Sequence, residues 1–140
     1  MNRVLIDVNL ILDVLLDRRP HAAAASAVWS AVEEGRALGF LSAHAVTTIH
    51  YLNERAVGPH LARDTTESLL SVFSVAMVDE GVLQTAAAFG WADFEDAVTA
   101  AAAQRAKCGA IITSNTKDFA KSPVRVLAPA EAAAWLGVDA

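Results

Sequence analysis

The amino-acid sequence predicts an α/β fold, a three-layer α/β/α sandwich around a central, mostly parallel sheet of four to five strands. Short apolar runs such as Val4–Ile6 and Ala110–Ile112 alternate along the chain with longer segments whose apolar residues recur at helical spacing. Strands that are apolar on both faces are typical of parallel sheets covered by helices on both sides. The chain has 140 residues and no internal repeat, so we expect one domain spanning residues 1–140.

Each predicted strand is a short apolar run that lies between two helical segments. In chain order the strands are predicted at Arg3–Val8, Ala37–Leu41, Ser74–Val78 and Ala110–Thr113, with Val124–Leu127 as the fifth of a four- to five-stranded sheet. Ligands of such sheets bind beyond the carboxyl ends of the strands. Residues that follow the first and fourth strands are therefore expected at one common site.

The helices are predicted from apolar spacing and from residues that begin or end helices. Arg18-Arg19-Pro20 breaks the first helical segment, and Gly58-Pro59 interrupts the chain between the third and fourth. Gly35 and Gly90 are placed to end the second and fifth. In chain order the helices are predicted at Asn9–Asp17, His21–Glu34, Ser42–Arg55, His60–Val72, Val82–Phe89, Asp93–Lys107 and Ala130–Leu136.

Composition excludes several classes of protein. With 54% hydrophobic and 19% charged residues, the chain is too apolar for intrinsic disorder, and some of its apolar surface is expected to cover a subunit interface. A net charge of −5 argues against a protein that binds nucleic acid by overall charge. A single cysteine, no membrane-length apolar stretch and no signal-like N-terminus favour a cytoplasmic protein.

Acidic residues stand where the first predicted strand ends and where the sixth predicted helix begins. Asp7 directly follows the apolar run Val4–Ile6, while Asp93 and Asp96 lie three residues apart and share a helix face. A carboxylate in an apolar setting is costly unless it is paired or bound to metal. Since Mg²⁺ favours carboxylate oxygen and water, these acids predict a divalent-cation site and metal-assisted attack on phosphate.

These acids also have purely structural explanations. Asp7 could cap the helix that begins near Asn9, and Asp93 could cap its own helix. Acids in the first turn, such as Asp96, are favoured by the helix dipole. Asp13 and Asp17 are assigned to a solvated helix face.

A third polar group, Thr113–Phe119, follows the fourth predicted strand. Asn115 and Asp118 would lie in a loop at the same edge of the sheet, where Thr113 or Ser114 could hydrogen-bond a ligand carboxylate or a water molecule. The alternative is an ordinary turn, in which Ser, Asn and Asp bond the local backbone.

Other polar and aromatic residues receive less specific assignments. The four histidines show no zinc-like spacing and are assigned no chemistry. Lys117 and Lys121 are candidate phosphate contacts whose simpler role is solvated surface. Trp91 is assigned to the core or to an interface, although it is close in sequence to the acids.

Together, the segments Val4–Asn9, Asp93–Val98 and Thr113–Phe119 resemble a PIN domain, the small ribonuclease fold that includes VapC-type toxins. The resemblance spans nearly the whole chain. It implies a Mg²⁺- or Mn²⁺-dependent endoribonuclease that acts on RNA, forms a homodimer and, in toxin members, is held inactive by an antitoxin protein.

Carried over by position, the family's first acid falls on Asp7 and the acid at the helix start falls on Asp96, which would together hold the metal. Two other acidic positions fall on neutral residues, Thr48 and Asn115. The resemblance thus implies catalytic roles for Asp7, Asp96 and Asn115, with Asp93 and Asp118 compensating for the missing charge. Fewer charged ligands imply weaker Mg²⁺ binding.

Two other functions are consistent with the same residues. A depleted site would leave a catalytically weakened module that binds RNA or a protein partner. A phosphohydrolase with Asp7 as covalent nucleophile is the third option, but Asp7-Val8-Asn9 lacks the second aspartate that would serve as its acid.

Overall fold

The computed structural model describes residues 1–138 and contains a five-stranded, fully parallel sheet within them. The strands are β1 (Asn2–Ile6), β2 (Ala37–Ser42), β3 (Ser74–Ala76), β4 (Ala110–Ile112) and β5 (Val126–Leu127), in the spatial order β3-β2-β1-β4-β5. The α-helices are α1 (Val8–Leu15), α2 (Ala22–Glu33), α3 (Ala43–Val57), α4 (Pro59–Val72), α5 (Glu80–Phe89), α6 (Phe94–Arg105) and α7 (Pro129–Trp135). A short 3-10 helix covers Thr116–Phe119.

Alternating residues of the central strands pack into two separate hydrophobic clusters, one on each face of the sheet. Val4 and Ile6 of β1 belong to the cluster that contains apolar side chains of α1, α2, α3 and α7. Leu5 lies between them and belongs to the cluster of α5 and α6. Because side chains alternate across a strand, one apolar run serves both faces. The predicted three-layer α/β/α fold is confirmed, with five strands that are all parallel.

Several element boundaries differ from the prediction near the functional edge. Val8 was predicted to end the first strand, but the strand ends at Ile6 and Val8 begins α1, with Asp7 at the N-cap position. The first helix ends at Leu15, because Asp17 adopts a positive φ of 48° that an α-helix does not contain. The segment after β4 was predicted as a loop and contains the 3-10 helix instead.

Pro59 begins α4 although Gly58-Pro59 was predicted to interrupt the chain before it. Proline suits the first position of a helix, because a backbone N–H at that position has no acceptor within the helix and its loss costs no hydrogen bond. Gly58, with a φ of 88°, makes the turn between α3 and α4.

Asp13 was assigned to a solvated face, and this assignment was wrong. The side chain is buried, at 4% exposure, and its Oδ1 lies 2.9 Å from Nε of Arg18. Arg18 also donates to the carbonyl of Asn9 at 3.2 Å. The arginine that follows the helix thus turns back over it and supplies the positive charge that makes a buried carboxylate tolerable.

None of the helices within residues 1–138 is both long enough and apolar enough to span a membrane.

Candidate functional site

Three polar residues lie at the carboxyl edge of the three central strands. Asp7 follows β1, Ser42 ends β2 and Thr113 follows β4. β1 pairs in parallel with both β2 and β4, so these residues share one edge of the sheet. This edge is where an open parallel sheet binds its ligands.

Asp7 is buried, at 5% exposure, and is held from the neighbouring strand. Oγ1 of Thr113 donates to its Oδ2 at 2.9 Å, and Nδ2 of Asn9 lies 3.5 Å from the same oxygen. Burial raises the pKa of Asp7, while the hydrogen bonds from Thr113 and Asn9 oppose the rise. Asp7 does occupy the N-cap position of α1, but its shortest side-chain hydrogen bond crosses the sheet to Thr113.

Asp93 and Asp96 lie at the start of α6, where they have different roles. Asp93 is exposed and caps the helix, its Oδ1 accepting a hydrogen bond from the backbone N–H of Asp96 at 3.0 Å. The capping explanation is therefore confirmed for Asp93. This hydrogen bond also fixes the helix start that carries Asp96.

Asp96 is half-buried, and its pKa is raised to about 7. Burial is the largest cause, followed by the negative charges of Asp93, Asp7, Asp118 and Glu95. Asp93 and Asp118 line the same cavity as Asp96, and Asp7 adds to the negative charge that acts on it. The structure thus brings four of the acids named from the sequence to one place, although they are separated by up to 111 positions in the chain.

Asn115 and Thr48 are the two neutral residues at positions where the resemblance implies acids, and they lie in different surroundings. The backbone N–H of Asn115 donates to Oγ1 of Thr113 at 3.0 Å, so Asn115 is tied to the residue that holds Asp7. Thr48 lies in the second turn of α3, and its hydroxyl lies 3.4 Å from the carbonyl oxygen of His44 in its own helix. Asn115 therefore adjoins the acids, while Thr48 bonds within α3.

A cavity of about 410 Å³ opens beside the acids. It lies between the α5–α6 connection and the 3-10 helix, and its lining includes Asp93, Asp96 and Asp118. Lys117 and Lys121, the candidate phosphate contacts whose simpler role was solvated surface, are exposed and also line it. Trp91, which was assigned to core or interface, forms part of its wall.

His44, which was assigned no chemistry, lies close to this region. His44 lies two residues beyond the end of β2, and both ring nitrogens are shielded from solvent. Burial lowers its pKa, while the negative charges of Glu95 and Asp7 raise it. The position of His44 directly after the second strand could have identified it, because that strand ends at the same edge as Asp7.

Within residues 1–138, the structure holds no group of three or more Asp, Glu, His or Cys side chains arranged to hold a metal ion by themselves. Mg²⁺ commonly uses only one or two protein carboxylates and takes its other ligands from water and substrate. Asp7 and Asp96 match this smaller donor set, since both offer carboxylate oxygen and are close enough to repel each other.

The family model of the PIN domain matches residues 3–117. No curated protein matches the chain. Among solved structures, a FitAB complex bound to a DNA fragment is similar at a TM-score of 0.70 and 22% identity, covering 90% of this chain and 94% of the other.

Two further structures share the fold. A toxin–antitoxin complex from Klebsiella pneumoniae is similar at a TM-score of 0.68 and 24% identity, covering 90% of this chain and 97% of the other. VapC20 of Mycobacterium tuberculosis, described as a toxin that cleaves the sarcin-ricin loop, is similar at a TM-score of 0.63 and 16% identity. The match covers 77% of this chain and 86% of the other. At these identities the likeness establishes the fold, and the match over residues 3–117 establishes the family. The chain belongs to the PIN domain family.

Proposed function

We propose that this protein is a metal-dependent endoribonuclease that hydrolyses RNA phosphodiester bonds and serves as the toxin of a toxin–antitoxin pair. Membership of the PIN domain family supports the nuclease part of the proposal. The observation that carries it is the convergence of negative charge from Asp7, Asp93 and Asp118 on Asp96. Perturbed acids gathered beside a cavity are typical of functional sites.

We propose that Asp7 and Asp96 hold Mg²⁺ or Mn²⁺. Both are oxygen donors, which suits these cations. Burial and then neighbouring negative charge raise the pKa of Asp96, and a divalent cation would offset that charge. The chemistry such a cation supplies is stabilisation of negative charge on the phosphate and on the leaving oxygen.

The protein's own groups would position the reaction. Thr113 fixes the orientation of the Asp7 carboxylate through the 2.9 Å hydrogen bond. Asp93 fixes the first turn of α6 and with it Asp96. Asp118 and Asp93 both line the cavity, where either carboxylate could accept a proton from an attacking water molecule. The side chain of Asn115 would complete the site.

The proposal extends to partners and location. The similar structures include toxin–antitoxin complexes, which supports an antitoxin partner for this chain. Exposed large apolar side chains, among them Tyr51, Leu61 and Met77, support association as a homodimer or with an antitoxin. Cys108 is buried and free, consistent with a cytoplasmic location.

The test is incubation of purified protein with total RNA and Mn²⁺, beside the Asp96→Asn variant. We expect cleavage by the wild type and loss of at least about 100-fold of the rate in Asp96→Asn, because one of two metal ligands is weakened. Glu67→Gln, which removes one exposed carboxylate from α4, is the matched control and should cleave normally. Equal cleavage by all three proteins would attribute the activity to a contaminating nuclease and remove the proposal.

A second candidate function is a catalytically weakened module that binds RNA or a protein partner. The observation that favours it is Thr48, where the resemblance implies an acid and where the hydroxyl contacts its own helix. RNA binding by the wild type without cleavage at any Mn²⁺ concentration would support this function over the nuclease.

A further inference from the structure

The cavity beside the acids has the size of a small-ligand site. Its volume of about 410 Å³ falls within the ~300–1,000 Å³ that is typical of ligand pockets. It is open to solvent and is lined by two parts of the chain, the α5–α6 connection and the segment around the 3-10 helix. The acids occupy only part of its lining.

Aromatic side chains form one wall of this cavity. Gly90 ends α5 in the left-handed conformation, with a φ of 69°, and the chain then turns to place Trp91 at the wall. The indole packs on Phe89 at 5.6 Å between ring centroids and on the buried Phe119 at 6.0 Å. These contacts hold Trp91 in place, while the residue itself is only half-buried. A fixed, partly exposed indole at the wall offers aromatic surface to a ligand.

Two lysines form another part of the lining. Lys117 lies in the 3-10 helix and Lys121 follows it, and both are exposed. The six ion pairs found within residues 1–138 involve neither lysine. The chain has a net charge of −5 and repels anions overall, but these two lysines can attract an anion locally beside the acidic cluster.

We infer that this cavity binds one unpaired nucleotide of a single-stranded RNA, with its base against Trp91 and its phosphate between Lys117 and Lys121. Aromatic stacking with nearby cations is the usual means by which proteins hold single-stranded nucleic acid. The faces of a paired base are covered by its neighbours in the stack, so duplex RNA cannot present a base to this wall. The inference rests on the proposed function, because it assigns the nucleotide to the RNA that the adjacent acids would cleave.

The inference is tested by fluorescence anisotropy with a labelled RNA of about five uridines, a length within known single-strand site sizes, in EDTA so that no metal-dependent cleavage occurs. Trp91→Ala should raise the Kd about 5- to 150-fold, as expected for loss of one base-stacking contact. Trp91→Phe keeps an aromatic ring and should stay within about threefold of the wild type. The matched control is Trp135→Ala, since Trp135 lies on α7 beside Arg125 and does not line the cavity.

The lysines are tested by the salt dependence of the same binding. Lys117→Met and Lys121→Met should each reduce the slope of log Kd against log salt concentration by about 0.7, the value for one phosphate contact with a single strand. Arg63→Met removes an exposed cation of α4 and should leave the slope unchanged. Inorganic polyphosphate and a blunt-ended RNA duplex should compete poorly with the uridine RNA, because neither supplies an exposed base beside a phosphate.

The inference is overturned by absence of RNA binding in EDTA, by an unchanged Kd in Trp91→Ala, or by equal competition from polyphosphate. If Trp91→Ala is unfolded by circular dichroism, the salt slopes of the two lysine variants decide, because those variants keep the aromatic contacts. If the binding tests fail but the wild type still cleaves RNA with Mn²⁺, the nuclease proposal is retained and only this inference is rejected. Binding as expected without cleavage would remove the nuclease proposal alone.

Discussion

Replacing Asp96 with asparagine should stabilise the folded protein while removing its proposed activity. A pKa raised from 3.8 to about 7 corresponds to about 4 kcal/mol of unfavourable interaction with the charged form. Asp96 is partly exposed, so solvent screening reduces this figure. The helix start also favours a negative charge by ~0.3–1 kcal/mol. We therefore expect Asp96→Asn to raise the free energy of unfolding by about 1–2 kcal/mol at pH 8.

The effect should depend on pH in a defined direction. The folded protein keeps the proton on Asp96 up to about pH 7, whereas the unfolded chain releases it near the ordinary value of 3.8. Between these values the folded state binds more protons, so wild-type stability falls as pH rises and becomes level above about pH 7. The advantage of Asp96→Asn should thus be near zero at about pH 4 and largest above pH 7.

Thermal unfolding in EDTA across this pH range measures the difference. At pH 8 the Tm of Asp96→Asn should exceed that of the wild type by about 3–8 °C for a domain of this size. Glu67→Gln is the control, because it removes an exposed carboxylate outside the cavity. If Asp96→Asn is less stable than the wild type at pH 8, or if its advantage does not change with pH, the raised pKa of Asp96, and with it the unfavourable setting of its charge, is refuted.

Three further predictions concern the same edge and the sheet behind it. Thr113→Val should lower the free energy of unfolding by about 1.5–3 kcal/mol in urea, because Asp7 loses a hydrogen bond to its buried carboxylate; an unchanged value would show that this bond is not formed. Gly39→Ala should lower the free energy of unfolding by about 1–3 kcal/mol in the same assay, because the added Cβ would lie 2.8–2.9 Å from side-chain atoms of Val32 and Phe73. Gly109→Ala is the control and should be tolerated, because the atom nearest to its added Cβ is 3.8 Å away. By calorimetry the Kd for Mn²⁺ should rise about tenfold for each pH unit below 7, as expected if the cation displaces one proton from Asp96; a flat profile would exclude it as a ligand.

The order of strands and helices could be predicted from the sequence because each apolar run has a clear length and spacing. Val4–Ile6 and Ala110–Ile112 are apolar at every position, since their alternating side chains enter different clusters on the two faces. Boundaries were harder to predict where one residue suits two conformations. Val8 extends an apolar run and also begins a helix, and Pro59 can either end a helix or start one.

The acids of the candidate site could be named from the sequence because each follows a strand or begins a helix at the same edge. The position of Asp13 could not, since its burial depends on Arg18 turning back over α1, a contact without a local sequence signal. The aromatic part of the cavity lining was not predicted either. Trp91 lines the cavity with Lys117, and its indole packs on Phe119, a contact that helical or strand periodicity does not predict.

Calorimetric titration with Mn²⁺ at pH 8 tests most directly whether Asp7 and Asp96 form one cation site. The wild type and Glu67→Gln should bind one ion with the same affinity. Asp7→Asn and Asp96→Asn should each bind it at least about tenfold more weakly, because either change removes a charged ligand from the same ion. Indistinguishable titrations of the wild type and both variants would contradict the account.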